Sequence, residues 1–203
     1  MATITISREF GAGGRTLGKM ISKALGYAYV DAEIIQMVAE RARVSANWVE
    51  SVEKEAGGRL LKYTAKLIPK RIIDLVLDDS RGYIDEEIYV DLLAEIINRI
   101  ADEGNAVIIG RGSQYILRGR KDAFHILLVA TKQDRLKFLE THYGLTPKEA
   151  ALIIGREENR RKSLYRKFGK EDYDHSDLYH LVINTSKQDL DKACQIICQL
   201  VTT

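Results

Sequence analysis

Residues 3–31 read TITISREFGAGGRTLGKMISKALGYAYVD. Ile4 and Ile6 anchor a short apolar run that stops at Ser7, and Phe10-Gly11-Ala12-Gly13-Gly14 is too rich in glycine to continue a strand. From Thr16 onward Leu17, Met20, Ile21, Ala24 and Leu25 recur with helical period, and Gly26 stands where a left-handed glycine would end the helix. Tyr27 to Val30 reads as a second strand ending at Asp31. Strand, glycine loop, helix and strand in that order open a βαβ unit.

The alternation continues along the chain. The spacing predicts helices over Glu33–Arg41, over a segment capped by Ser45 that holds Trp48, Val49 and Val52, over 59–78 with Pro69 as a kink or boundary, and over Ile84–Ala101. Ala106–Ile109 reads as a strand that meets Gly110-Arg111-Gly112, and Phe124–Ala130 as the next. Thr131 with Asp134 forms the pattern of a capping box, Thr146-Pro147-Lys148-Glu149 forms another with proline at the first helical position, and a basic helix runs from there to about Phe168. Leu181–Asn184 is the last strand, and Ser186 and Asp189 cap a final helix through Leu200. Five strands alternating with helices specify an α/β fold with a parallel sheet covered on both faces. Such sheets bind ligands at the carboxyl ends of their strands, where Ser7, Asp31, Gly110-Arg111 and Asn184-Thr185 fall.

Composition narrows the function. The 203 residues suit a single domain, and 31 Lys+Arg against 29 Asp+Glu leave a net charge of +2, too small a field to argue for nucleic acid. Cys194 and Cys198 are the two cysteines, which excludes a disulfide scaffold and fits a reducing compartment. Four apart with no histidine beside them, they do not make a zinc site, and core packing is the expected use. No apolar run approaches the roughly 18 residues of a membrane span. MATITISREF lacks the regions of a leader, so a cytoplasmic location is expected.

The chemistry lies in the glycine loop and the arginines. Backbone amides of Gly11–Gly14, backed by a helix N-terminus, suit an anion, and Arg8, Arg15 and Lys19 add positive charge; a turn required only for packing would use the same glycines. The Walker pattern Gly-x-x-x-x-Gly-Lys-Ser/Thr does not fit cleanly. With Gly13 as its second glycine, Gly14 takes the lysine position and Arg15 the hydroxyl position; shifted by one, Gly14-Arg15-Thr16 matches with arginine for lysine, and Glu9 replaces the leading glycine. A dinucleotide loop over Gly11-x-Gly13-x-x-Thr16 lacks its third glycine. Arg111, flanked by glycines after a strand, presents a planar guanidinium suited to a phosphate or to a structural ion pair. Residues 156–171, REENRRKSLYRKFGKE, hold seven Lys/Arg and three Glu, a composition that serves a solvated helix or an arginine-rich closing element. Asp31 and Glu33 suit an acceptor hydroxyl, a metal-bound water or a helix cap, and no histidine pair has ligand spacing.

Taken together, Ile6–Arg15, Leu25-Gly26-Tyr27, Tyr29-Val30-Asp31, Ile109–Gly112, Arg160-Arg161 and Tyr179–Ser186 resemble the cytidylate kinase-like family, a divergent branch of the P-loop nucleoside monophosphate kinases. The resemblance implies a three-layer α/β/α domain over 1–203, with a five-stranded parallel sheet, a helical acceptor region at 32–103 and an arginine-rich lid at about 146–171. It implies ATP and Mg²⁺ as cofactors and in-line phosphoryl transfer to a nucleoside monophosphate, with a small nucleotide rather than nucleic acid or membrane as partner. Oligomeric state is left open. Carried over position by position, Arg8, Gly11, Ala12, Gly13, Gly14, Arg15, Thr16 and Lys19 face the donor phosphates. Asp31 and Arg111 face the acceptor, Thr16 approaches the metal, and Arg15, Arg111, Arg156, Arg160 and Arg161 neutralise the transferring group. Two departures stand out: Gly14 replaces the phosphate-binding lysine, and Arg15 the serine that holds Mg²⁺, with Arg15, Arg8 and Lys19 as alternative replacements for the lost cation. A nucleotide- or phosphate-binding protein with little catalysis, and a kinase for another small acceptor, are the competing expectations.

Overall fold

The computed structural model describes residues 1–31, 86–169 and 174–202. The helices expected over 33–41 and 59–78, the Ser45-capped segment with Trp48, and Pro69 lie outside the described residues, as do Glu33 and most of the acceptor region expected at 32–103.

Five strands, β1 (Thr3–Arg8), β2 (Ala28–Val30), β3 (Ala106–Ile109), β4 (Ala123–Val129) and β5 (Leu181–Asn184), form one sheet in the order β2-β3-β1-β4-β5. Every pairing is parallel, with Thr3 beside Ala106 on one side and Ala123 on the other. The order reverses at β1, and the crevice beyond the carboxyl ends of such a reversal is the general ligand position of open α/β sheets.

The helices are α1 (Gly14–Leu25), α2 (Glu86–Glu103), the single turn α3 (Ser113–Ile116), α4 (Lys132–Tyr143), α5 (Pro147–Lys167) and α6 (Leu190–Thr202). Alternation along β1 gives its two faces different partners. Ile4 and Ile6 join Leu17 and Ile21 of α1 and Ala193, Cys194 and Ile197 of α6 in one core. The opposite core packs Leu93, Ile96, Ile97 and Ile100 of α2 against Val30, Ala106 and Ile108. Ile6 has no exposed surface, and truncating it to alanine would cost about 3 kcal/mol through lost burial and the cavity left behind. The buried hydroxyls of Thr3, Thr5 and Ser7 alternate with these isoleucines, and Thr5 Oγ1 meets His125 Nδ1 at 2.8 Å.

The caps follow the sequence with two corrections. Gly26 is left-handed (φ 68°) and closes α1, and Thr146 and Glu149 exchange both bonds of a capping box at the start of α5, with Pro147 as its first residue. Thr131 makes only half a box. Its hydroxyl accepts from Asp134 N at 3.2 Å, but its own amide donates to Ser186 Oγ at 2.8 Å. Ser186 is thereby drawn to α4, and among the described residues Asp189 supplies the side-chain bond at the start of α6, to Lys192 N at 2.7 Å. Helix α1 begins at Gly14, two residues before the periodic signal, because glycines carry no side chain to register it.

Candidate functional site

The turn after β1 is built from behind. Glu9 accepts from Ala130 N at 2.8 Å and pairs with Arg135 at 3.8 Å, while Thr185 Oγ1 donates to the Ala12 carbonyl at 3.2 Å. Gly11 has φ 91°, and a Cβ there would lie 2.9 Å from Arg135 Cβ and 3.0 Å from its carbonyl oxygen. Gly13 (φ 82°) is the N-cap of α1; it offers no side-chain bond, and no acid stands in the first turn. This start of the helix carries the positive end of its dipole, which suits an anion.

Beyond β3 a second turn carries a side chain instead. Gly110, Arg111 and Gly112 are all left-handed, with φ of 70°, 60° and 71°. For arginine this backbone is strained by about 1–2 kcal/mol, and such strain gathers at ligand sites. A Cβ on Gly112 would press within 2.5 Å of the Phe168 ring.

Arg8, Arg111, Arg160 and Arg161 line one cavity of about 310 Å³, together with Phe10, Ile109, Glu157, Ser163, Leu164 and Tyr165. Arg8 leaves β1 and crosses Gly14, where a Cβ would lie 2.8 Å from Arg8 Cγ; its guanidinium then rests on Gly110. Burial lowers its pKa, Tyr165 counters this, and Arg161 and Arg15 lower it further. Arg161 pairs with Asp174, which also accepts from Tyr179 OH at 3.1 Å, and its guanidinium lies 5.7 Å from the centre of the buried Tyr165 ring. Burial depresses the Arg161 pKa, and Asp174 and Tyr165 more than restore it. Tyr165 packs edge-on against Tyr115, with ring centres 5.2 Å apart.

The remaining expected residues lie around this cavity. Arg15 pairs with Asp31 at 3.3 Å, and Tyr29 OH reaches Asp31 at 3.4 Å. Burial and then the Asp31 charge push the Tyr29 hydroxyl up to about 12. Lys19 stands 5.8 Å from the centre of the Tyr29 ring, and Thr16 is exposed on the first turn of α1. Arg156 is 74% exposed, pairs with Glu157 at 3.3 Å and does not line the cavity; Arg160 is 4.0 Å from Glu157 and does. Among the described residues no group of three His, Cys, Asp or Glu side chains is placed to hold a metal.

Sequence reading passed over Arg135 and Asp174. Arg135 is nearly buried and ties Glu9 and the Phe10 carbonyl to Glu158 on α5, so it joins the loop to the arginine helix. A cation in the first turn of a helix, where the dipole disfavours it, was the available signal. Asp174 has φ 62°, and no sequence pattern marks it as the partner of Arg161.

Residues 3–187 match the cytidylate kinase-like family. The chain belongs to that family. No curated protein matches it in sequence. Among solved structures it is similar to an uncharacterized protein from Eubacterium ventriosum ATCC 27560, at 19% identity and TM-score 0.66, covering 100% of this chain and 99% of that one. It also resembles a shikimate kinase from Bacteroides thetaiotaomicron (14%, TM-score 0.50, covering 100% and 99%) and a gluconokinase from Sinorhizobium meliloti 1021 (14%, 0.50, covering 99% and 91%). At such identities the likeness is one of fold, that of P-loop kinases. Family and fold support a kinase-type function without specifying a substrate. No helix among the described residues is long and apolar enough to cross a membrane.

Proposed function

We propose that this cytidylate kinase-like protein transfers a phosphoryl group from ATP to a nucleoside monophosphate. The observation that carries the reading is the cavity where Arg8, Arg111, Arg160 and Arg161 converge, with the glycine-capped start of α1 following β1. Phosphoryl transfer asks little covalent chemistry of a protein and much positioning and charge neutralisation. A monophosphate acceptor is already anionic, so no general base is required.

The residues suit the phosphates of ATP: three glycines keep Cβ atoms off the turn, and the N-cap of α1 is itself one of them. When bound, ATP supplies the transferable group. Gly11–Thr16 hold its phosphates, Arg111 orients the acceptor phosphate, and Arg160 and Arg161 on α5 approach the transferring group and exclude water, as a lid would. Arg156 extends the same basic surface toward solvent. Asp31, held by Arg15 and Tyr29, is available to an acceptor hydroxyl. The chain itself offers Mg²⁺ little: Arg15 stands at the hydroxyl position, and Thr16 is the nearby hydroxyl of the first turn. The ion would be held chiefly by phosphate oxygens and water, as Mg²⁺ commonly is.

A second reading, a phosphate-binding protein with little catalysis, draws on Gly14 at the lysine position and on Arg15 being engaged by Asp31. Incubation with ATP and Mg²⁺ against the eight common ribo- and deoxyribonucleoside monophosphates separates the two. The kinase reading expects ADP formation dependent on one acceptor. ATP binding with no turnover on any acceptor supports the binding protein.

A further inference from the structure

We propose that Arg8 is the donor-phosphate cation of this chain, and that Gly14 is glycine because Arg8 must cross it. The inference rests on the phosphoryl-transfer reading and names the residue that replaces the missing lysine.

Laying the Walker pattern with Gly13 as its second glycine puts Arg8 on the leading glycine and Gly14 on the lysine. In sequence these look like two independent departures, six residues apart. In the structure they meet at one point. A Cβ on residue 14 would lie 2.8 Å from Arg8 Cγ, 3.1 Å from its Cδ and 3.2 Å from its Cβ. A lysine at 14 and an arginine at 8 therefore exclude each other in this arrangement. A cation has been moved from the first turn of the helix to the end of the strand, and the space it vacated lets the new one through.

The strand is a firm base for it. Arg8 pairs in register with Leu128 at the end of β4, and the Glu9 amide donates to the Leu128 carbonyl at 3.0 Å. Its guanidinium rests on Gly110, a second position where a Cβ would collide with it, and faces the cavity shared with Arg111, Arg160 and Arg161. Three of the neighbouring arginines have acids of their own: Arg15 has Asp31, Arg160 has Glu157, and Arg161 has Asp174. Among the described residues no carboxylate or carbonyl is hydrogen-bonded to the Arg8 side chain, and its charged neighbours are Arg161 and Arg15. A guanidinium placed beside those of Arg161 and Arg15 fits a ligand that brings at least two negative charges, and the terminal phosphate of a nucleoside triphosphate does so.

The test measures ATP and ADP affinity by titration calorimetry without an acceptor, on the full-length protein and on Arg8→Gly, Arg8→Lys, Gly14→Lys and the double variant Arg8→Gly/Gly14→Lys, with circular dichroism to confirm folding. Arg8→Gly is expected to weaken ATP about ten- to a hundredfold and ADP far less. Gly14→Lys alone weakens ATP as well, by displacing Arg8. The double variant recovers most of the lost ATP affinity, because it restores a cation and the room it needs. Arg8→Lys, which keeps a cation, loses less than Arg8→Gly. Unchanged ATP affinity in folded Arg8→Gly, a loss in Arg8→Lys as large as in Arg8→Gly, or losses that add in the double variant would overturn the proposal. A wild-type protein that binds ATP through Arg8 but turns over no monophosphate leaves the proposal standing and removes the kinase reading; full kinase activity in Arg8→Gly does the reverse. No ATP binding by the wild type removes both.

Discussion

Two turns open helices at the carboxyl edge of the sheet, one after β1 and one after β3, and they meet an anion in opposite ways. The first, Gly11–Gly14, presents backbone: its glycines pack against Arg135 and Leu190, and Gly13, the N-cap of α1, brings no side chain to it. The second, Gly110–Gly112, presents a side chain: Arg111 is held in a left-handed backbone between two glycines, ahead of a helix of a single turn. Amides fixed by a helix suit a ligand that always docks in one place. A guanidinium on a short turn suits recognition of a planar set of oxygens. Arg8 joins the two, rooted beside the first and resting on the second.

The difference is open to direct attack. Gly11→Val combines a positive φ with a clash against Arg135 backbone, and should destabilise the protein by about 3 kcal/mol in urea melts and abolish ATP binding. A variant of unchanged stability would show that the first turn is not fixed as described.

Acid should undo both turns together, because both hang on the sheet that His125 supports. Burial and then the neighbouring His180 depress the His125 pKa from 6.5 to about 4. The unfolded chain therefore binds more protons than the folded one between these values. Stability is full above about pH 6.5 and falls by up to about 3 kcal/mol as pH drops toward 4. Urea melts across this range on the wild type and His125→Gln check it; a wild-type slope no steeper than the variant's would contradict the assignment.

Arg111→Gly should part function from stability at the second turn. Acceptor affinity should fall about ten- to a hundredfold, while thermal stability holds or rises by up to about 1 kcal/mol as the left-handed strain is relieved. A stability loss with unchanged acceptor affinity would make Arg111 structural. The smallest effect is expected at Arg15. Its side chain is 42% exposed and engaged by Asp31, so Arg15→Ala should change ATP affinity by less than about threefold. A larger loss would transfer the donor role from Arg8 to Arg15.

What the sequence made legible was what local chemistry dictates. Gly26, the Thr146–Glu149 box and the Leu181–Asn184 strand each depend on neighbours within a few positions, and each stands where expected. The short helix α3 and the Ser176–Leu178 turn are too brief for a periodic signal. Ser186 bonding to the Thr131 amide, Arg135 bridging Glu9 to Glu158 and Asp174 holding Arg161 are long-range pairings that no spacing encodes. At the site, the arginines were legible as a set but not by partner. Arg8 and Arg15 differ little in sequence context; the path over Gly14 and the Arg15–Asp31 pair separate them.

The most direct measurement is a crystal structure with a non-hydrolysable ATP analogue bound. Phosphate oxygens are expected within hydrogen-bond distance of amides in Gly13–Thr16, with the Arg8 guanidinium on the terminal phosphate and Arg111 facing the acceptor side. Phosphates bound elsewhere, with that turn unchanged and Arg8 turned away from the nucleotide, would contradict it.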